Sequence, residues 1–241
     1  MTNFSLVNIQ ESVMAGHIES LSEIELLASL LAYAKQPDPF TSASRLLETF
    51  GSLSRVLRIE ERELVGTGIT QHAATLLSLV LPLWGRAMVE AQPKTIALST
   101  ASITGAYLSS LFFGAKAETA YLILLKKDFT IIDCHRVADG SVNTATLNSR
   151  VVAEAAVFGG ADYAILAHNH PAGSPMPSRS DLTATERLCA TFDTIGIPLL
   201  EHFIIAEGEH LPILWATNAL HPAVPEGYYD REYAHIALET L

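Results

Sequence analysis

The feature that most constrains this chain is an apolar run that ends in two histidines. Residues 163–167 (YAILA) read as a buried strand, and the next four residues are His-Asn-His-Pro. Because side chains two positions apart on a strand share one face, His168 and His170 point the same way at the strand end, with Asn169 opposite. Two imidazoles that converge at a sheet edge can occupy two positions around one metal ion.

A carboxylate in the following helix is the candidate third ligand. A loop of Gly and Pro leads from the histidines to Ser178, the predicted N-cap, and Asp181 lies in the first helical turn. A first-turn Asp projects toward the helix N-terminus, where the loop can fold back over the histidines. Two neutral histidines, one carboxylate and Zn²⁺ leave a local charge of about +1, which favours ionisation of a bound water.

A second explanation of the same residues is purely local. Ser178 and Asp181 have the spacing of a capping-box variant, and the helix considered alone favours that explanation. A single histidine at a strand end is usually only a polar terminus. A zinc site becomes the favoured interpretation when three features are taken together. These are two histidines on the same face of the strand, a rigid loop after them, and a carboxylate at the start of the next helix.

Hydrolysis by a metal-activated water also needs a base, and the spacing of the residues does not identify it. Glu118 lies just before a second apolar strand, 119–125, and Glu154, Glu186 and Glu201 are the alternatives. On the residues alone, Glu118 is more simply explained as a solvated carboxylate that precedes a strand.

The hydrophobic pattern predicts two domains and a tail. Residues 1–95 indicate four to six short helices, and residues 96–220 indicate a mixed α/β domain with at least four strands. Residues 221–241 form a Pro-containing, weakly helical tail whose aromatic residues can pack on the body or on a partner. The expected fold class is therefore α+β overall. Strands are expected at 118–125, 129–137, 161–168 and 197–208, and helices within 149–160 and 178–196.

Composition narrows the class of protein. Hydrophobic residues make up 49% of the 241 residues and charged residues 17%, which is typical of a globular chain. The net charge of -11 argues against a general binder of nucleic acids or anionic membranes, because phosphate neutralisation needs clustered Lys and Arg.

Cysteine usage and the apolar segments indicate the compartment. Cys134 and Cys189 are too few for a disulfide framework and favour a reducing compartment with free, buried thiols. The first residues lack the pattern of a signal peptide. The longest apolar run, 73–85, is too short to span a bilayer and contains Pro82, so it predicts a buried core helix. A soluble, cytoplasmic protein is expected, and its oligomeric state stays open.

The histidine and helix-start residues resemble a known motif. His168-x-His170-Pro171 followed by Ser178-x-x-Asp181 is similar to the JAMM (MPN+) metallopeptidase motif. The longer string AILAHNHPAGSPMPSRSDL resembles its bacterial branch, the RadC family of JAB-domain or UPF0758 proteins. The resemblance extends over residues 15–210, because SLSEIELLASLL, RLLETFGSL and AETAYLILL also resemble segments of that family.

The resemblance implies a fold and a set of roles. It implies a JAB1/MPN domain of the cytidine-deaminase-like type in residues 96–220, with one Zn²⁺ held by three ligands. Glu118 aligns with the acid/base glutamate of the family, and Ser178 would donate a hydrogen bond to the oxyanion or the bound water. His202 matches a histidine common in this branch, and it would either support the ligands from behind or be simply a polar residue of the core. The implied ligands are His168, His170 and Asp181.

The N-terminal residues are similar to a degenerate helix-hairpin-helix. Such a motif holds phosphates with backbone amides at a turn like Gly66-Thr67-Gly68 and with nearby Lys or Arg. Residues 63–85 contain neither Lys nor Arg, which argues against DNA binding by this domain.

Two functions of different classes therefore compete. The first is a zinc-dependent hydrolase whose partner is a protein or peptide substrate with a scissile peptide or isopeptide bond. The second is a non-catalytic DNA-repair or recombination accessory protein, against which the net charge of -11 argues. A zinc deaminase is excluded because the chain has no C-x-x-C pair.

Overall fold

A computed structural model describes residues 6–91, 95–139, 148–171, 173–206, 209–230 and Tyr233 of the protein. The architecture is α+β, with helices and one five-stranded sheet. The chain divides into two compact units, Met1–Trp84 and Gly85–Leu241.

The first unit is helical, as its hydrophobic pattern predicts. Helix α2 begins with the expected capping box: Oγ of Ser22 accepts from the amide of Glu25 at 3.4 Å, and the amide of Ser22 donates to Oε2 of Glu25 at 2.8 Å. The helices are α1 (Leu6–Met14), α2 (Glu23–Tyr33), α3 (Pro39–Phe50), α4 (Leu53–Arg58), α5 (Glu61–Gly66) and α6 (Gln71–Glu90), with a 3₁₀ turn at Ile18–Ser20. The last six residues of α6, from Gly85, belong to the second unit.

The last of these helices differs from the prediction of a buried core helix. One face of α6, with Ala73 and Leu77, lies in the core, but Leu83 and Trp84 are 63% and 55% exposed. By length and composition alone α6 could cross a membrane, and 28% of its apolar window is buried. The periodicity of a helix explains the difference, since packing against one set of neighbours buries one stripe only.

The second unit is built on a sheet with strand order β2-β1-β3-β4-β5. Strand β1 pairs antiparallel with β2 and β3, β3 pairs parallel with β4, and β4 pairs antiparallel with β5. The strands are β1 (Thr119–Leu125), β2 (Ile131–Asp139), β3 (Tyr163–Asn169), β4 (Leu199–Ala206) and β5 (Glu209–Pro212). The helices are α7 (Ala101–Leu111), α8 (Ser149–Phe158), α9 (Arg179–Ile195) and α10 (Ile213–Ala216).

The sheet is covered on both faces, and the alternation of β3 shows how. Ala164 and Leu166 pack with α8 and α9, whereas Ile165 and Ala167 pack with α7. His168 therefore continues the face that α9 covers. Because α9 packs on that face, its first turn lies close to the end of β3.

Three elements of this unit are not predicted from the sequence. Helix α7 contains Gly, Thr and Ser, which form helices poorly, and its N-cap bond, donated by the amide of Ile103 to Oγ1 of Thr100, helps to start it. Strand β5 and helix α10 are four residues each, too short to produce a periodic signal.

The aromatic residues of the predicted tail pack on the body of the chain. Tyr228 and Tyr233 are 1% and 2% exposed and lie in the core on the α7 side of the sheet. The hydroxyl of Tyr228 is 3.0 Å from Oγ1 of Thr104, and the hydroxyl of Tyr229 donates to Glu201. The rest of the weakly helical segment, 231–232 and 234–241, lies outside the described residues.

The two cysteines are free thiols, as predicted, but they are half-buried rather than buried. Burial raises the pKa of Cys134 to about 12 and that of Cys189 to about 11, with Asp133 and Asp193 adding to the effect. The raised pKa values favour the protonated thiol form of both residues at neutral pH.

Candidate metal centre

The end of β3 and the start of α9 bring four potential ligands together. His168 is the penultimate residue of β3 and has no exposed surface, His170 follows the strand, and Asp181 lies in the first turn of α9. Glu118 precedes the neighbouring strand β1. Each of the four offers one ligand atom, and these atoms all lie within 4.8 Å of one another.

The spacing of three of these groups fits a small tetrahedral ion. Nε2 of His168 lies 3.0 Å from Nε2 of His170 and 3.5 Å from Oδ1 of Asp181, and Nε2 of His170 lies 3.7 Å from Oδ2 of Asp181. Ligand atoms at tetrahedral angles and bond lengths of about 2.0–2.1 Å are about 3.3 Å apart. The donor set needs little movement to hold such an ion.

A chain of hydrogen bonds sets the tautomer of His168. The hydroxyl of Thr185 donates to the carbonyl of Asp181 at 2.7 Å, and its oxygen therefore accepts from Nδ1 of His202, also at 2.7 Å. Nε2 of His202 is then bare and accepts from Nδ1 of His168 at 2.8 Å. The chain starts from a carbonyl that can only accept, so Nε2 of His168 faces the site without a proton.

The second histidine is oriented in the same sense by the loop. Nδ1 of His170 lies 2.9 Å from the carbonyl oxygen of Ser174, which can only accept. When His170 is neutral, its Nε2 is bare too. Two bare nitrogens 3.0 Å apart repel each other, so this arrangement is stable only with a cation between them, either a proton or a metal ion.

Burial keeps the inner histidines neutral, which is the form that binds a metal. Desolvation lowers the pKa of His168 to about 4, with Asp181 opposing and His170 adding to the shift. Desolvation also lowers the pKa of His202 well below 6.5, helped by the other two histidines. A metal ion bound by His168 would therefore meet little competition from protons near neutral pH.

Asp181 can complete the capping box of α9 and still bind a metal ion, because its two carboxylate oxygens face different partners. Oδ2 of Asp181 accepts from the amide of Ser178 at 2.7 Å and from its Oγ at 2.6 Å, and the amide of Asp181 donates back to Oγ at 3.3 Å. Oδ1 is left facing His168. The hydroxyl proton of Ser178 is directed at Asp181 in this arrangement, so the predicted contact of Ser178 with an oxyanion stays a prediction.

The four glutamates considered as the base have different surroundings. Glu118 is half-buried and belongs to the cluster of potential ligands. Glu154 pairs with Arg150 at 2.8 Å on the surface of α8, and Glu186 is exposed. Glu201 is fully buried and is not a member of the cluster. The geometry therefore favours Glu118 among them.

Glu201 instead ties the C-terminal segment to the sheet. Its carboxylate accepts from the amides of His202 and Leu214, both at 2.7 Å, from the amide of Trp215 at 3.1 Å, and from the hydroxyl of Tyr229. Burial raises the pKa of Glu201 to about 7 in spite of these four donors.

Two residues that contact the site are missed by the sequence analysis. Thr185 lies one turn after Asp181 on the same face of α9, so helical spacing could have identified it. Asn169, between the two histidines, hydrogen bonds to the backbone on both sides of Glu118. The sequence places Asn169 on the face of β3 opposite the histidines, which gives it no evident role. Only the pairing of β1 with β3 brings its side chain to the backbone around Glu118.

Comparison with known proteins agrees with this geometry. The family model described as "RadC-like JAB domain" matches residues 98–215, which include every residue of the cluster. A "UPF0758 protein" of Vibrio atlanticus is 31% identical over 202 residues, which cover 83% of this chain and 90% of the relative. A "UPF0758 protein" of Neisseria meningitidis serogroup C is 31% identical over 198 residues, 81% of this chain and 88% of the relative. This chain belongs to the UPF0758 family of proteins with a RadC-like JAB domain.

Proposed function

We propose that this protein is a zinc-dependent hydrolase that cleaves a peptide or isopeptide bond. The observation that carries the proposal is the pair of inward-facing Nε2 atoms of His168 and His170, 3.0 Å apart, beside the carboxylate of Asp181. Two imidazoles and one carboxylate form a donor set typical of catalytic zinc, which keeps a fourth position for water.

The metal and the protein divide the chemistry. When bound, Zn²⁺ supplies Lewis acidity, polarising the scissile carbonyl and lowering the pKa of a coordinated water to about 7. Glu118 accepts the proton of the attacking water as the C–O bond forms, and it delivers that proton to the leaving amine as the C–N bond breaks. Its place within 4.8 Å of the ligand atoms supports this role.

The supporting residues orient the ligands. His202 and Thr185 hold His168 in the tautomer that presents Nε2, and the amide of Ser178 holds Asp181 in place. Ser178 also donates to the tetrahedral oxyanion once its hydroxyl rotates away from Asp181. The carboxylate of Asp181 keeps the amide hydrogen bond during that rotation.

Zinc content tests the metal site directly. Wild type purified without chelator should contain about one zinc per chain by inductively coupled plasma mass spectrometry, and the variant H168A/H170A should contain none. The matched control is H135A/H221A, which removes two histidines that each pair with a carboxylate elsewhere. Equal zinc in the wild type and H168A/H170A would refute the site.

Cleavage tests the base. Peptides and lysine-linked isopeptides are screened by mass spectrometry with the zinc-loaded wild type, and Glu118→Gln is tested on any cleaved sequence. The variant should retain zinc and lose about 10²–10⁴-fold in kcat. Full activity of zinc-loaded Glu118→Gln would remove Glu118 from the mechanism.

One observation favours the second candidate, a DNA-associated accessory role. Residues 63–85 contain neither Lys nor Arg, but the guanidinium of Arg45 from α3 lies close to Gly68, where a Cβ atom would be 3.5 Å from Nη2. A fluorescent DNA titration at low salt tests this role, since low salt strengthens phosphate contacts. Binding that Arg45→Ala weakens and Arg58→Ala does not would support it, and no binding at micromolar protein would count against it.

A further inference from the structure

Glu118 stands just beyond the regular part of the sheet. Strand β1 starts at Thr119, and the register between β1 and β3 ends with the pair Ala120 and His168. The ladder that aligns the rest of β1 on β3 therefore stops before the residue with the proposed base. On the side of β2 the pairing reaches Thr119. On the side of β3, an interaction that fixes the backbone around Glu118 keeps its carboxylate beside the ligands.

The side chain of Asn169 provides that interaction. Its Oδ1 accepts from the amide of Thr119 at 2.8 Å, and its Nδ2 donates to the carbonyl of Ala117 at 3.1 Å. Asn169 is 4% exposed, so water competes little for these bonds. Because an amide can only donate and a carbonyl can only accept, the two bonds also define which end of the side chain is oxygen.

The two bonds resemble the backbone bonds of a parallel strand partner, although β1 and β3 themselves pair antiparallel. In a parallel ladder, one residue donates to the residue before its partner and accepts from the residue after it. The carboxamide of Asn169 makes two bonds in this pattern, to Ala117 and Thr119, with Glu118 in the partner position. A side chain therefore holds the backbone on both sides of Glu118 at the place where the main-chain pairing of β1 with β3 ends.

We propose that Asn169 is a positioning residue that holds the Glu118 carboxylate beside the metal centre. The proposal rests on the proposed function, in which Glu118 is the base. The proposal gives the middle residue of the His-Asn-His segment a role. The two histidines face the ion, and the asparagine between them fixes the position of the base beside the neighbouring strand. One three-residue segment then sets the distance between the ligands and the base.

Cobalt substitution tests the proposal without a substrate. With Co²⁺ in place of zinc, the visible spectrum changes as the coordinated water ionises, and the midpoint of that change depends on Glu118 beside it. Glu118→Gln should shift the midpoint relative to wild type. Asn169→Leu, with the same branching of the side chain but without the two hydrogen bonds, should shift it in the same direction while binding one Co²⁺ per chain. On any substrate found, Asn169→Leu should lower kcat by about 10–100-fold with little change in KM.

Controls separate positioning from general weakening of the fold. Thr100→Ala removes the N-cap hydrogen bond of α7, which packs on the other face of the sheet, and should leave the midpoint unchanged. Asn169→Ser is the smaller perturbation to use if Asn169→Leu does not fold. It should shift the midpoint less, because a hydroxyl can replace one of the two bonds.

The outcomes distinguish failure of the positioning role of Asn169 from failure of the proposed role of Glu118 as the base. A shift in Glu118→Gln with a wild-type midpoint in both Asn169 variants would overturn the positioning role alone. Wild-type midpoints in all three variants would overturn the role of Glu118 and the proposal with it. Loss of Co²⁺ binding in both Asn169 variants would show that Asn169 supports the ligands rather than the base, which also overturns the proposal.

Discussion

Replacing Thr185 by valine tests whether the hydrogen-bond chain behind His168 controls metal binding. Valine keeps the shape of the side chain but removes the oxygen that accepts from Nδ1 of His202. Thr185 is 2% exposed and His202 is fully buried, so the structure offers no ready access for a replacement water. A buried N–H without a partner costs about 1–3 kcal/mol.

The metal-free protein can escape this cost, but the metal-bound protein cannot. Without zinc, His202 can move its proton to Nε2 and donate to Nδ1 of His168, which then carries its own proton on Nε2. Zinc requires Nε2 of His168 to be bare, so binding forces the unsatisfied tautomer back. We therefore expect zinc affinity to fall by about 10–100-fold, equivalent to about 1.4–2.7 kcal/mol.

The assay is competition for zinc with a chromophoric chelator at pH 7. The matched control is Thr191→Val, which removes a comparable hydroxyl bond to a backbone carbonyl in the same helix, away from the site. Thr185→Val should weaken zinc binding and Thr191→Val should not. An affinity within about threefold of wild type for Thr185→Val would refute the tautomer chain as the control on His168.

Three further predictions follow from the same structure. Ser178→Ala should lower zinc affinity and destabilise α9 by about 1 kcal/mol, because the hydroxyl both caps the helix and contacts Asp181; unchanged zinc competition and urea unfolding would contradict it. The pKa of Glu201 is about 7 in the fold against an ordinary 4.5, so its stabilising contribution is complete below pH 4.5 and is lost as the pH rises through 7. The unfolding free energy of wild type relative to Glu201→Gln should therefore fall by about 3 kcal/mol between pH 4.5 and 7.5, and a pH-independent difference in urea unfolding would oppose this. Cys134 and Cys189 should react with a thiol reagent at pH 7 only after unfolding, since burial raises both pKa values; rapid labelling of the native protein would contradict this.

The sequence determines the local part of the candidate site. Alternation along residues 163–167 predicts that His168 and His170 share a face, and spacing from Ser178 predicts that Asp181 lies in the first turn of a helix. These are short-range consequences of strand and helix periods, and they need no knowledge of distant contacts. The α+β class and the strands β1 to β4 follow from the same periods.

Only the tertiary structure decides which distant residues join that local site. The antiparallel pairing of β1 with β3 brings Glu118 and its backbone to Asn169, and the parallel pairing of β4 with β3 places His202 behind His168. Packing of α9 on the sheet then delivers Thr185 to the end of the hydrogen-bond chain. Strand order and register come from the burial of whole faces rather than from any short stretch of sequence, so these partners cannot be read from local patterns.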